Sequence, residues 1–109
     1  MQKIKLKLNV SNLNAILQIL SIYENGFKAE NFAFKAVLSI SDDLYTKVQR
    51  KAITERKNDK YFNISFKYHE AYALEAILRH FISSSDYKNF DSYVVNTAHS
   101  VANSIHKEL

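Results

Sequence analysis

The chain has 109 residues, a formal net charge of +4, no cysteine and no proline, and this composition already excludes several classes of protein. A chain of this length can bury one hydrophobic core, so we expect a single domain over residues 1–109. Without cysteine there can be no disulfide, thiolate nucleophile or cysteine-based zinc site. No stretch approaches the roughly 20 apolar residues of a membrane span, and residues 1–7 are not a signal peptide. The sequence therefore predicts a cytoplasmic protein without a membrane partner.

The first predicted element is a strand from about Lys3 to Val10, in which Lys5 and Lys7 alternate with apolar residues. Ser11 is the predicted N-cap of a first helix. Apolar residues then recur at spacings of three and four up to residues 25–26, Asn-Gly, a common helix stop.

The stretch from Ala29 onward carries apolar residues at helical spacing, although an alternating pattern typical of a strand is also present. We choose a helix because the equivalent stretch near Phe90 has a helical pattern. Ser41 is followed by two acidic residues, which is typical of a new helix start. The sequence leaves open whether residues 29–57 form one helix or two.

A turn is predicted at residues 58–59, followed by a second strand from Tyr61 to Tyr68. Its predicted buried face consists of Phe62, Ile64, Phe66 and Tyr68. A third helix begins at His69. Its buried stripe is predicted to consist of Ala73, Leu74, Ile77, Leu78 and Phe81.

The last predicted helix begins near Tyr87 and carries apolar residues at near-heptad spacing from Phe90 to Leu109. The order strand, helix, helix thus occurs twice, and residues 4–40 align with residues 62–98 at one constant offset of 58. This pattern predicts a mostly helical α+β fold in which four helices cover two antiparallel strands, with pseudo-two-fold symmetry between the halves. Identities between the halves are few, so whether the internal repeat is genuine stays open.

A second apolar stripe on the second helix is a candidate for self-association. At 100° per residue, Phe34, Leu38 and Tyr45 fall within about 40° of one another and on a different side of the helix from the main stripe. Both stripes belong to the core if this helix is central. Otherwise these three residues form the interface of a homodimer.

Basic residues are concentrated in residues 44–60, which contain six basic and two acidic side chains. Lys47, Arg50, Lys51 and Lys57 share one predicted helix face. Such a row of cations can follow a phosphate backbone, so these four residues are the candidate nucleic-acid-binding site. A solvated helix face explains the same pattern without a ligand.

Enzymatic motifs and base-stacking surfaces are not predicted. His69 and Glu70 begin as the helix of a zinc protease would, but Ala73 occupies the position of the required second histidine. The single glycine, Gly26, does not allow a glycine-rich phosphate loop. The aromatic residues of the second strand share their face with Ile64, as in a core, which argues against base stacking. We therefore expect no catalytic residues, metal ligands or cofactors.

The sequence favours a non-enzymatic protein-interaction module of undetermined role that self-associates as a dimer. The alternative is a nucleic-acid-binding accessory protein that uses the basic face from Lys47 to Lys57. A dimer should keep its mass at high salt, whereas a phosphate-binding protein should lose affinity when Lys47, Arg50 and Lys51 are replaced with glutamate.

Overall fold

The structure, a computed structural model, contains a two-stranded sheet and four helices in its described part. This part comprises residues 3–24, 32–83 and 90–109, apart from the side chains of residues 24, 32–34, 36 and 38. The elements in chain order are β1 (Lys3–Leu8), α1 (Val10–Glu24), α2 (Phe32–Thr54), β2 (Phe62–Lys67), α3 (Tyr68–Ser83) and α4 (Ser92–Glu108). The predicted mostly helical α+β fold is confirmed, and the pseudo-two-fold symmetry stays a prediction.

The sheet pairs β1 and β2 antiparallel, with Lys3 opposite Lys67 and Leu8 opposite Phe62. Successive side chains of a strand point to opposite faces, and the sequence alternates accordingly. The inner face is apolar and buried, whereas the outer face carries lysines and small polar residues that remain accessible. The buried residues of the inner face are Ile4, Leu6, Leu8, Ile64 and Phe66.

The core lies between this inner face and the four helices, each of which contributes fully buried side chains. The largest fully buried side chains are Phe66, Phe81, Leu13, Ile16, Ile19, Leu20, Leu44, Leu74, Ile77, Leu78, Ile105 and Val48. The predicted buried stripe of α3 is confirmed in full. Of the helices that the described residues form, none combines the length and the apolar character needed to cross a bilayer.

The junction between β1 and α1 differs from the prediction by a few residues. The strand ends at Leu8, and Val10 is the first helical residue rather than the last strand residue. Asn9 Oδ1 accepts the Asn12 N–H at 2.8 Å, and Asn12 Oδ1 accepts the Asn9 N–H at 3.0 Å. Asn9 is therefore the N-cap, and the prediction of Ser11 in this role is wrong because this reciprocal pair satisfies the first free amides of the helix.

β2 passes into α3 without a linker. The observed strand is shorter than the predicted span from Tyr61 to Tyr68, and Tyr68 is the first residue of α3. Its side chain is 48% exposed, so its predicted place on the buried face is wrong. Glu70 Oε1 accepts the Lys67 N–H at 2.8 Å, which fixes the start of the helix at this point.

α2 is one continuous helix, which settles the choice between one helix and two in favour of one. Ser41 is buried inside the helix and does not interrupt it. The helix ends at Thr54, and Lys57 lies in the turn that follows, so Lys57 does not share the face of the other basic residues. The predicted start at Ala29 and the predicted end of α1 at Gly26 lie outside the described residues.

α4 begins at Ser92, later than the start predicted near position 87. Asp91 determines this start, because its Oδ1 accepts the Val94 N–H at 3.0 Å. Leu109 follows the last helical residue and is 38% exposed, so its predicted place in the buried stripe is wrong.

Candidate functional site

An open groove with a volume of about 630 Å³ lies between α2 and β2. Three consecutive residues of β2, Asn63, Ile64 and Ser65, border it. Their side chains alternate between the two faces of the sheet, and Ile64 is only 4% exposed. The strand therefore presents its backbone edge to the groove. The residues of α2 that line the groove are Asp43, Thr46, Lys47, Arg50, Lys51 and Thr54.

The edge of β2 in this groove has backbone groups that no described residue pairs with. Because the Lys67 N–H donates to Glu70, Lys3 and Lys67 are not a hydrogen-bonded pair of the ladder. Hydrogen-bonded and non-hydrogen-bonded pairs alternate in an antiparallel sheet. The N–H and C=O groups of Asn63 and Ser65 therefore point away from β1 and into the groove, and no hydrogen bond joins them to any described residue.

The three cations of the groove differ in their availability. Lys47 Nζ lies 2.9 Å from Glu70 Oε1 and 5.1 Å from the ring centroid of Phe66. Lys51 Nζ likewise lies 3.6 Å from Glu55 Oε1, in an ion pair between α2 and the turn that follows it. Arg50 is exposed and makes no ion pair with a described residue. Two of the three positive charges are thus partly neutralised, and Arg50 is the cation available to a ligand.

Glu70 joins the strand, α2 and α3 at one end of the groove. Burial alone raises the pKa of Glu70, but the hydrogen bonds from Lys67 and Lys47 and the charges of Lys47 and His69 outweigh it. The pKa of the carboxyl is consequently held below its ordinary value of 4.5, and Glu70 is ionised at neutral pH.

We expect Glu70→Gln to lower the free energy of unfolding by about 1 kcal/mol at neutral pH. A depressed folded-state pKa contributes stability that is present above the unfolded-state pKa and lost as the pH falls through the folded-state pKa. The difference between wild type and variant should therefore shrink below about pH 4.5, which urea unfolding at neutral and acidic pH would measure. Glu55→Gln is the matched control, with an expected loss below about 0.5 kcal/mol. Equal losses at both pH values would contradict the role of the Glu70 charge.

The outer face of the sheet is a second candidate surface. Lys3, Lys5, Lys7 and Lys67 project from it, are exposed, and make no side-chain ion pair with any described residue. We call these four residues the outer lysine face. Lys3 lies directly opposite Lys67, an arrangement of like charges that destabilises a sheet. A cluster of lysines without ion-pair partners among the described residues is a candidate site for an anion.

The sequence prediction missed the outer lysine face as a candidate site. The alternation of Lys5 and Lys7 with apolar residues was a signal for a solvated strand face, but it did not show how the strands pair. Only the register brings Lys67 next to Lys3 and places Asn63 and Ser65 beside the other lysines.

The predicted site residues are only partly brought together. Lys47, Arg50 and Lys51 line the same groove, whereas Lys57 does not. Tyr45 is half-buried and packs against the core. The side chains of Phe34 and Leu38 lie outside the described residues, so self-association through these three residues stays a prediction.

Metal-binding clusters are absent from the described part of the chain, where no group of three histidine or carboxylate side chains converges. His106 Nδ1 instead lies 3.1 Å from Glu75 Oε2, which also accepts an ion pair from Arg79 at 3.5 Å. The contact between His106 and Glu75 joins α4 to α3, and the ion pair with Arg79 lies within α3, so both contacts have a structural explanation.

Comparison of the chain with models of protein families, with curated proteins and with solved structures finds no match. The groove and the outer lysine face are therefore the features from which a function can be inferred.

Proposed function

We propose that the protein is a non-enzymatic accessory protein that binds the phosphate backbone of nucleic acid through the outer lysine face. The observation that carries this proposal is the group of four exposed lysines without an acidic partner among the described residues. Cations on such a surface release counterions from the nucleic acid when they contact phosphates, which favours binding.

The spacing of the lysines supports a contact with consecutive parts of one backbone. Lys3, Lys5 and Lys7 alternate along β1. Alternate residues of a strand are about 6.8 Å apart, which is similar to the separation of neighbouring phosphates along one nucleic-acid backbone. The side chains of Asn63 and Ser65 add hydrogen-bonding groups to the same face. No aromatic side chain of the described strands projects from this face, so the proposal is for binding without sequence preference.

The test is fluorescence anisotropy of labelled single- and double-stranded DNA and RNA, titrated with protein at low salt. The variant Lys5→Glu with Lys7→Glu should bind at least about tenfold more weakly than wild type, because two phosphate contacts become repulsive. The control Lys57→Glu with Lys107→Glu changes the net charge equally at positions outside the two strands. We expect it to weaken binding by less than about threefold.

Two results would overturn this proposal. One is the absence of binding to all four nucleic acids at low salt. The other is an equal loss in both double variants, which would show that net charge alone determines the affinity. Circular dichroism and thermal unfolding of each variant establish that the fold is kept, so that a loss of binding can be assigned to the altered charges.

A further inference from the structure

The unpaired edge of β2 offers a second mode of binding, independent of the outer lysine face. We propose that this edge is the docking site of an extended acidic peptide segment of a partner protein, which joins the sheet as a third strand. Extended peptides bind other proteins in this way when a strand edge is open and its backbone groups are free.

The backbone polarity of the edge fits such a strand. The N–H and C=O groups of Asn63 and Ser65 face the groove and have no hydrogen-bond partner among the described residues. An added strand forms its ladder with alternate residues of the strand that it joins. These two residues can therefore make four backbone hydrogen bonds to a docked segment. Only every second residue of the peptide takes part in these bonds.

α2 forms the wall of the groove and still leaves the edge of β2 accessible. The backbone of α2 lies farther from β2 than the backbone of α4 lies from β1. The gap is bridged by long side chains, since Lys47 Nζ lies 5.1 Å from the ring of Phe66 and Lys51 Nζ 5.3 Å from that of Phe62. Both lysines line the groove, and their aliphatic stems offer apolar surface to the aliphatic side chains of an alternating peptide.

Arg50 favours an acidic side chain in the docked segment. Two of the three cations that line the groove are paired with carboxylates, and the lining also contains Asp43. Arg50 has no ion-pair partner among the described residues. A guanidinium matches a carboxylate with two parallel hydrogen bonds. The strands of a second copy of this chain are rich in lysine and would place like charges beside Arg50, so a second copy fits the groove less well.

The probe for the test is a labelled seven-residue peptide in which glutamate alternates with valine, titrated by fluorescence anisotropy. Two methylated derivatives of this peptide are compared with it. In the first, the backbone amides on one side of the extended peptide carry N-methyl groups, and in the second, the amides on the other side do. Strand addition requires the amides on one side of the peptide only. We therefore expect one derivative to lose at least about tenfold in affinity and the other to change by less than about threefold.

Variants of the protein locate the site. Arg50→Glu should weaken binding of the unmodified peptide by about tenfold, because an attractive charge becomes repulsive. Hydrogen exchange should show new protection of the Asn63 and Ser65 amides in the presence of the peptide. Lys57→Glu with Lys107→Glu, at positions that do not line the groove, should leave peptide binding within about threefold, which separates recognition by Arg50 from an effect of net charge.

Three outcomes would overturn the proposal. Equal losses for both methylated derivatives would exclude strand addition. Protection of the Asn63 and Ser65 amides in the free protein, with a doubled mass in solution, would identify a second copy as the occupant. Protection of these amides by an oligonucleotide but not by the peptide would assign the groove to nucleic acid.

Discussion

Replacing Phe66 with alanine is expected to lower the free energy of unfolding by about 3–5 kcal/mol. Phe66 is completely buried on the inner face of β2, opposite Ile4. Alanine would remove most of the side chain and leave a cavity that the surrounding helices cannot fill. Small domains are stable by about 5–15 kcal/mol in total, so this single change removes a large part of the stability. Urea unfolding followed by circular dichroism measures the loss.

Phe62→Ala is the matched control for Phe66→Ala. Phe62 lies on the same strand but is only half-buried. Its replacement removes the same atoms from a site that is already partly hydrated, so we expect no more than about half the loss. Equal losses from both changes would show that the inner face of the sheet is not packed as described.

The second large expected effect is the dependence of the affinity for nucleic acid on the salt concentration. If all four residues of the outer lysine face contact phosphates, the affinity for duplex DNA should fall roughly 100-fold between 50 and 200 mM salt. The logarithm of the association constant, plotted against the logarithm of the salt concentration, should have a slope near −3.6 for duplex and about −2.8 for single strands. Anisotropy titrations over this range provide the slope.

Replacing single lysines with the neutral residue glutamine shows how many of the lysines contact phosphates. Lys5→Gln should reduce the size of the duplex slope by about 0.9, whereas Lys107→Gln, at the end of α4, should leave it unchanged. A wild-type slope shallower than about −1 would mean that the outer lysine face makes at most one phosphate contact.

Periodicity was sufficient to predict the type and order of the elements, because each strand and helix has one buried face. The boundaries depended on side-chain hydrogen bonds that periodicity does not encode. Asn9 and Ser11 are both good caps, and only the reciprocal bonding with Asn12 selects Asn9. The alternation of β2 continues through Tyr68, but the bond from Lys67 to Glu70 starts the helix there.

The candidate sites were less predictable than the fold, because they depend on contacts between residues distant in sequence. The basic residues of α2 were found from their spacing. Their partial neutralisation was not, since Lys47 pairs with Glu70, 23 residues further along the chain. The accessibility of the edge of β2 likewise depends on the position of α2, which spacing does not reveal.

The bond between Lys67 and Glu70 also limits the length of peptide that the groove can recognise. After Asn63 and Ser65, the Lys67 N–H is the next amide of β2 that points away from β1, and this bond already occupies it. β2 also ends at Lys67. Only Asn63 and Ser65 remain, about 6.8 Å apart, so a docked segment of about five residues uses the whole edge. Lengthening the segment would add little affinity. A partner could bind more tightly by carrying several copies of a short motif along one disordered chain, since each released copy is replaced by a neighbour at high local concentration.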